Sequence, residues 1–345
     1  MKKKLAVIGQ YGTGPSYLTG QAVKTVFVTD WMKRRYGDDQ VEIVNTYGWK
    51  KHPVRLVFSV MKAMKHCSNV MIFPAPHGVK VFPRLVSFFN GFFRRRTFFI
   101  VIGGWLADFL SAHGSVRRAT RKFNGVCAET VSLVRDLHEI GIENAWYLPN
   151  CRDYVDISPD KDRTSLPLHV CTYSRVTESK GMADAVATVR KANRILGSDV
   201  FFLDVFGAVD ESYREQFEAL CKDNRDVMKY AGTRNADQTL ETLAGQFALL
   251  FPTYYEGECF AGTVLDAFLS RTPIIANDWK FNSEVIRNGE DGFLYKFRDT
   301  DEAAAILASL YRDPELYRKI QDGCMESARA FSSDTVLEQL AVKMK

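Results

Sequence analysis

A chain of 345 residues is long enough for about two domains, each with its own core. Its 46% hydrophobic and 25% charged residues are ordinary for a soluble globular protein, and no uncharged apolar run reaches the length of a membrane span. The net charge of +5 covers an asymmetry: residues 1–150 hold 22 Lys+Arg against 9 Asp+Glu, whereas residues 151–345 hold 24 against 32. A basic half beside an acidic half suggests that the first meets a polyanion or an anionic surface.

The first residues, Lys2-Lys3-Lys4 and a five-residue apolar run, read as a first strand and not as a signal peptide. From there apolar strands and helical segments alternate. Strands are predicted at 4–9, 41–45, 70–73, 97–102, 125–128 and 145–148, with helices at 18–36, 53–66, 80–93, 105–113 and 130–140. Residues 149–167 are polar, hold three prolines and show no period, which marks a linker. A second alternation follows. Its strands are predicted at 168–173, 200–206, 227–230, 247–252, 273–276 and 292–295, and its helices at 181–196, 210–222, 237–245, 262–270, 301–311 and 314–330. An amphipathic segment at 334–344 ends the chain. Two rounds of strand and helix imply an α/β protein of two doubly wound, Rossmann-like domains, at 1–155 and 165–330, with residues 331–345 packing back on the first. Ligands of such sheets bind at the carboxyl ends of strands, so two facing domains would share a cleft.

The seven cysteines form no C-x-x-C and no framework spacing, and read as reduced thiols in a cytosol. The most informative stretch is Glu256-Gly257-Glu258-Cys259-Phe260-Ala261-Gly262-Thr263-Val264-Leu265-Asp266. A strand runs in and a helix runs out. Backbone N–H groups of Cys259 to Thr263 lie at a helix start, where the first turn has no internal acceptors and can point at an anion. Glu258 and Asp266 bracket that position. Carboxylates accept from diols, so the pair suits a ligand that is half phosphate and half polyol: Glu258 for sugar hydroxyls, Asp266 for a ribose. A second loop, Tyr173-Ser174-Arg175-Val176-Thr177-Glu178-Ser179-Lys180-Gly181, also joins a strand to a helix. Arg175 and Lys180 could together neutralise a diphosphate without a metal.

These residues resemble the retaining glycosyltransferases of family four, which have the GT-B fold. The resemblance rests on Arg175 with Lys180-Gly181 and on the Glu258–Asp266 loop. It extends over Thr272-Pro273-Ile274-Ile275-Ala276-Asn277-Asp278, Ser283-Glu284-Val285-Ile286 and Asn288-Gly289-Glu290-Asp291-Gly292. Leu148-Pro149-Asn150 with Asp153 is similar to the family's Pro-Asn-Gly-Val-Asp segment. It implies a metal-independent, cofactor-free transfer of a sugar, with retained configuration, from a nucleotide-diphosphate-sugar to a saccharide or lipid-linked saccharide in surface polysaccharide or glycolipid synthesis. Glu258, Arg175 and Lys180 would be the catalytic residues. Asp266 and residues Cys259, Phe260, Ala261, Gly262 and Thr263 would bind the donor. The sequence departs from the pattern in having Asp at 266 where Glu is usual, Arg271 where Gly is usual, and Gly103-Gly104-Trp105 where many members have His.

In the first half, Gly104, His77 and Glu129 follow predicted strands and are candidate substrate contacts. Gly9-Gln10-Tyr11-Gly12-Thr13-Gly14 is a glycine loop after the first strand, with Gly12 and Gly14 placed for close approach to a ligand. The same loop fits an NAD-dependent oxidoreductase, although the second strand ends in Asn45 where a dinucleotide site wants an acid. A nucleotide-sugar epimerase and a non-catalytic partner subunit also remain open. Asp299-Thr300-Asp301 reads as a helix cap, with Glu302 completing a capping box, and not as a metal site. The run Phe88-Phe89-Asn90-Gly91-Phe92-Phe93-Arg94-Arg95-Arg96 suits an anionic membrane surface, with Lys33-Arg34-Arg35 and Arg117-Arg118-Arg121-Lys122 adding charge. The expected setting is cytoplasmic, peripheral at the inner face of the cell membrane, without nucleic acid.

Overall fold

A computed structural model describes residues 2–12, 20–74, 76–157 and 165–344. Gly14 and residues 158–164 of the linker lie outside them. Among the described residues the chain forms two six-stranded sheets, with every pairing parallel. Parallel sheets covered on both faces need continuous apolar strands. The chain supplies them: Leu5 to Ile8 are fully buried, and Leu249, Ile274 and Ile275 likewise.

The chain divides into two compact units, residues 1–149 with 333–345, and residues 150–332. The first contains β1 (Lys3–Gly9), β2 (Val41–Asn45), β3 (Cys67–Phe73), β4 (Arg96–Ile100), β5 (Gly125–Ala128) and β6 (Ala145–Tyr147), in the order β2-β1-β3-β4-β5-β6. Its helices are α1 (Gly20–Tyr36), α2 (Pro53–His66), α3 (Phe82–Phe93), α4 (Leu106–Ala112), α5 (Gly114–Thr120) and α6 (Val131–Glu139). The order reverses at β1, so with right-handed crossovers α1 lies on the opposite face from α2 and α3.

The second unit contains β7 (Leu168–Tyr173), β8 (Phe201–Phe206), β9 (Met228–Gly232), β10 (Ala248–Phe251), β11 (Ile274–Asn277) and β12 (Gly292–Tyr295). Their order is β12-β11-β10-β7-β8-β9. The reversal falls between β7 and β10, the crevice where doubly wound sheets place ligands. Helices α7 (Met182–Leu196), α8 (Arg214–Asp223), α9 (Thr239–Ala244), α10 (Gly262–Leu269), α11 (Asn282–Val285), α12 (Thr300–Arg312) and α13 (Pro314–Ala330) cover it. Asp313 and Pro314 start α13 as a cap followed by a proline at the first turn.

Three details differ from expectation. Residues 150–155 belong with the second unit, because Asn150 Nδ2 donates to Phe260 O at 3.1 Å and Arg152 pairs with Asp266. Residues 331–332 also stay there; Phe331 packs edge-on to Phe260, ring centroids 4.8 Å apart. Asp299 does cap α12, accepting from Asp301 N and Glu302 N, but Glu302 accepts from Lys296 N at 2.8 Å instead of closing a reciprocal box.

The last helix, α14 (Ser333–Lys343), lies in the first unit. Trp31 Nε1 donates to Asp334 at 3.2 Å, and Arg35 makes a two-pronged contact with Glu338 at 3.1 Å. Val336, Leu337 and Leu340 are buried. Leu340→Ala should therefore lower stability by about 2–4 kcal/mol, visible as an earlier urea midpoint. An unchanged midpoint would show that α14 adds nothing to this core.

Candidate donor-binding site

The loops that leave β7 and β10 meet at the strand-order reversal. The β7 loop makes a short 3-10 turn, Glu178–Lys180, and enters α7 through Gly181, whose φ of 72° is left-handed. A Cβ at Gly181 would lie 2.4 Å from Pro252 O, so only glycine lets the two loops come this close. Two hydrogen bonds tie them: Tyr254 N donates to Ser179 O at 2.8 Å, and Thr263 Oγ1 donates to Tyr173 O at 2.9 Å.

This frame brings Lys180 and Glu258 together. Glu258 Oε2 accepts from Lys180 Nζ and, at 2.9 Å, from Thr253 Oγ1. The two side chains are only 14% and 11% exposed. The ammonium also lies 5.1 Å from the Tyr255 ring centroid. Taking two charges this far from water costs several kcal/mol each before their attraction offsets it. An ion pair of this kind is weak evidence for stability and stronger evidence for a poised site.

Immediately beyond, α10 begins at Gly262 with Ala261 as N-cap, a residue whose side chain cannot accept a hydrogen bond. Val264 N donates to Ala261 O at 3.1 Å, and the N–H groups of Gly262 and Thr263 are left for another acceptor. The side chains of Cys259 and Phe260 are buried, so these two residues can offer a ligand only their backbone. Gly262 and Thr263 are half-buried.

Arg175 is not joined to the Lys180–Glu258 pair. Its side chain is 61% exposed and pairs with Asp210 at 3.8 Å. Asp266 does lie beside the motif loop, but Arg152 Nε donates to its Oδ1 at 2.8 Å. Arg152 was not singled out from the sequence. Its partner is 114 residues away, and nothing in its spacing signals the contact. A Cβ at Gly262 would sit 2.3 Å from the Arg152 guanidinium, so that glycine makes room for it.

The first-unit candidates stand separately. Glu129, read from the sequence as facing a ligand, is 3% exposed and pairs with the equally buried Lys24 of α1. That partner gives it an internal role. Gly12 is buried, Gly104 is half-buried in the turn before α4, and His77 is exposed in the loop after β3. Asn45 clamps the glycine loop: Tyr11 N donates to its Oδ1 at 3.1 Å, and its Nδ2 donates to Tyr11 O at 2.9 Å. The position where a dinucleotide fold holds its ribose is therefore engaged with the loop itself. Burial raises the Tyr11 hydroxyl well above its ordinary pKa, and it meets Thr29 Oγ1 at 2.5 Å.

Gly181→Ala should strain the left-handed turn and push apart the loops at Pro252. A cost of more than about 2 kcal/mol is expected, with loss of whatever the Lys180–Glu258 pair binds. A variant with an unchanged melting temperature would show that the close approach is not required.

Residues 159–323 match the family described as glycosyl transferases group 1. EpsD of Bacillus subtilis, provisionally named a glycosyltransferase, is 37% identical over 78 residues, 23% of this chain and 20% of that protein. An exopolysaccharide phosphotransferase of Streptomyces coelicolor is 32% identical over 85 residues, 24% of this chain and 9% of that one. The chain thus spans a fifth or less of the length of these relatives. HepE of Anabaena, solved in complex with UDP, superposes with a TM-score of 0.79 at 15% identity, over 100% of this chain and 99% of its own. At that identity the likeness is one of fold. Residues 159–323 thus match the group 1 glycosyltransferase family, within a chain that has the two-domain GT-B fold.

Proposed function

We propose that this protein is a metal-independent retaining glycosyltransferase. It would move a sugar from a nucleotide-diphosphate-sugar to a saccharide or lipid-linked saccharide, in the synthesis of a surface polysaccharide or glycolipid at the cytoplasmic face of the cell membrane. The observation that carries the reading is the Lys180–Glu258 pair, set at the β7–β10 reversal beside the start of α10. The group 1 domain match, and the UDP and UDP-glucose held by HepE, support it.

The roles follow from charge. The leaving nucleoside diphosphate gains negative charge as its bond to the sugar breaks. Lys180 and the first N–H groups of α10 would stabilise that charge, with Arg175 reaching in from its exposed loop. Both contacts of Glu258 fall on Oε2; the reading gives Oε1 to the sugar hydroxyls. In a retaining transfer without a protein nucleophile, the acceptor oxygen bonds to the anomeric carbon on the face that the phosphate leaves. The acceptor proton then passes to a phosphate oxygen. Catalysis is then largely positioning and electrostatics. Asp266 would keep a ribose contact, together with Arg152.

Two measurements test this. In a thermal-shift screen of UDP-, GDP-, ADP- and dTDP-sugars, one donor should raise the melting temperature, since ligand at 100 times its Kd adds about 2.7 kcal/mol. No shift with any of them would overturn the donor site. Lys180→Ala should lower kcat/KM by about 10²–10³-fold with the fold intact, the scale of losing one electrostatic donor. Wild-type turnover in that variant, product of inverted configuration, or activity abolished by EDTA would each refute the corresponding part.

A further inference from the structure

Two helices of the first unit present large apolar side chains to solvent. On α2, Val54 and Phe58 are 66% and 60% exposed; on α3, Phe88 and Phe92 are 64% and 73% exposed. On each helix the pair is spaced by four residues and falls on one stripe, next to the stripe that is buried on the sheet. The two helices pack against each other, so both stripes belong to one layer of the unit. Exposed apolar residues gathered in this way mark an interaction surface.

The charge around them is one-sided. Residues 43–107, which span both helices, hold ten lysines and arginines and not one Asp or Glu. Nine of the ten are exposed. The tenth, Arg95, donates to Met64 O at 2.7 Å and to Lys65 O at 3.2 Å, closing the end of α2. Elsewhere in this half Arg35 pairs with Glu338, and Arg121 donates to Ile140 O and Gly141 O at the end of α6, while Arg118 and Lys122 are exposed. Within the stretch Arg84 donates to Lys80 O at 2.6 Å and Arg96 to Lys343 O at 3.5 Å, but both stay exposed, so the α2–α3 layer carries charge of one sign.

We infer that α2 and α3 form a docking face for an anionic lipid bilayer. Phe58, Phe88 and Phe92 enter the boundary between headgroups and acyl chains, and the surrounding lysines and arginines lie at the level of the lipid phosphates. A polyanionic sheet complements a face with no acid at all. A protein partner would be registered by particular pairs of both signs. The inference uses the first unit alone and stands apart from the donor chemistry of the second.

The test is cosedimentation of the full chain with vesicles of phosphatidylcholine alone or with about 30% phosphatidylglycerol. Binding is expected to the anionic vesicles, at least about tenfold weaker to the neutral ones, and released by about 0.5 M salt. F88S/F92S should weaken it about tenfold, and K62E/K65E comparably, with melting temperatures and nucleotide-induced shifts unchanged. Equal binding to neutral vesicles, no binding to either, or unaltered binding by both variants would overturn the inference. So would a self-associated protein that F88S/F92S turns monomeric while vesicle binding is absent, since the face would then be a protein interface.

Discussion

An ammonium and a carboxylate, both nearly withdrawn from water, set the geometry of the second unit's strand ends. Lys180 comes from the loop after β7 and Glu258 from the loop after β10, and neither residue can change its backbone position alone. Gly181 fixes the first loop against Pro252, the Tyr254–Ser179 bond locks the two together, and Thr263 anchors the start of α10 to the end of β7. A hydrophobic pair would fill the same space at lower desolvation cost. Under the proposed donor role, a ligand with phosphate and hydroxyl groups would find both signs already oriented.

Much of this was legible in the sequence, for a physical reason. Strands of parallel sheets are continuous apolar runs, and polar or glycine-rich segments separate them, so all twelve observed strands coincide with predicted ones. The start of β3 ran three residues earlier than expected because Asn69, a poor strand former by type, satisfies its amide on Lys4 O at 2.9 Å. Helices α5 and α11 are not predicted; seven residues opening on glycine, and four residues, carry too little periodicity to be seen. Motif loops that are contiguous in sequence were visible. The pairs Arg152–Asp266 and Lys24–Glu129 were not, since each is closed by more than a hundred residues of intervening fold.

Glu129 shows how position alone misleads. It ends a strand where ligands gather, but a carboxylate buried to 3% must have a counter-ion, and Lys24 provides it. The arginines of the first half give the same lesson in reverse. Runs such as Arg94-Arg95-Arg96 look uniform in sequence, whereas the fold takes Arg95 to close a helix end, turns Arg96 toward Lys343 O and leaves Arg94 to solvent. Net charge over a stretch is a reliable sign of an anionic partner only after these internal uses are removed.

The departure at position 266 has a counterpart in the fold. An aspartate where glutamate is usual is one methylene short. Taken alone, it weakens the ribose contact. In the structure the shorter acid is one of three matched residues. Arg152 holds Oδ1 from the segment that opens the second unit, and Gly262 lacks the Cβ that would collide with the guanidinium. A longer acid at 266 would carry its carboxylate beyond this contact, and a side chain at 262 would displace the arginine. Asp266 is thus a carboxylate with its charge already balanced and one oxygen already taken. A sugar hydroxyl arriving there would meet a fixed, partly neutralised acceptor, which favours a single directed hydrogen bond over chelation of a diol.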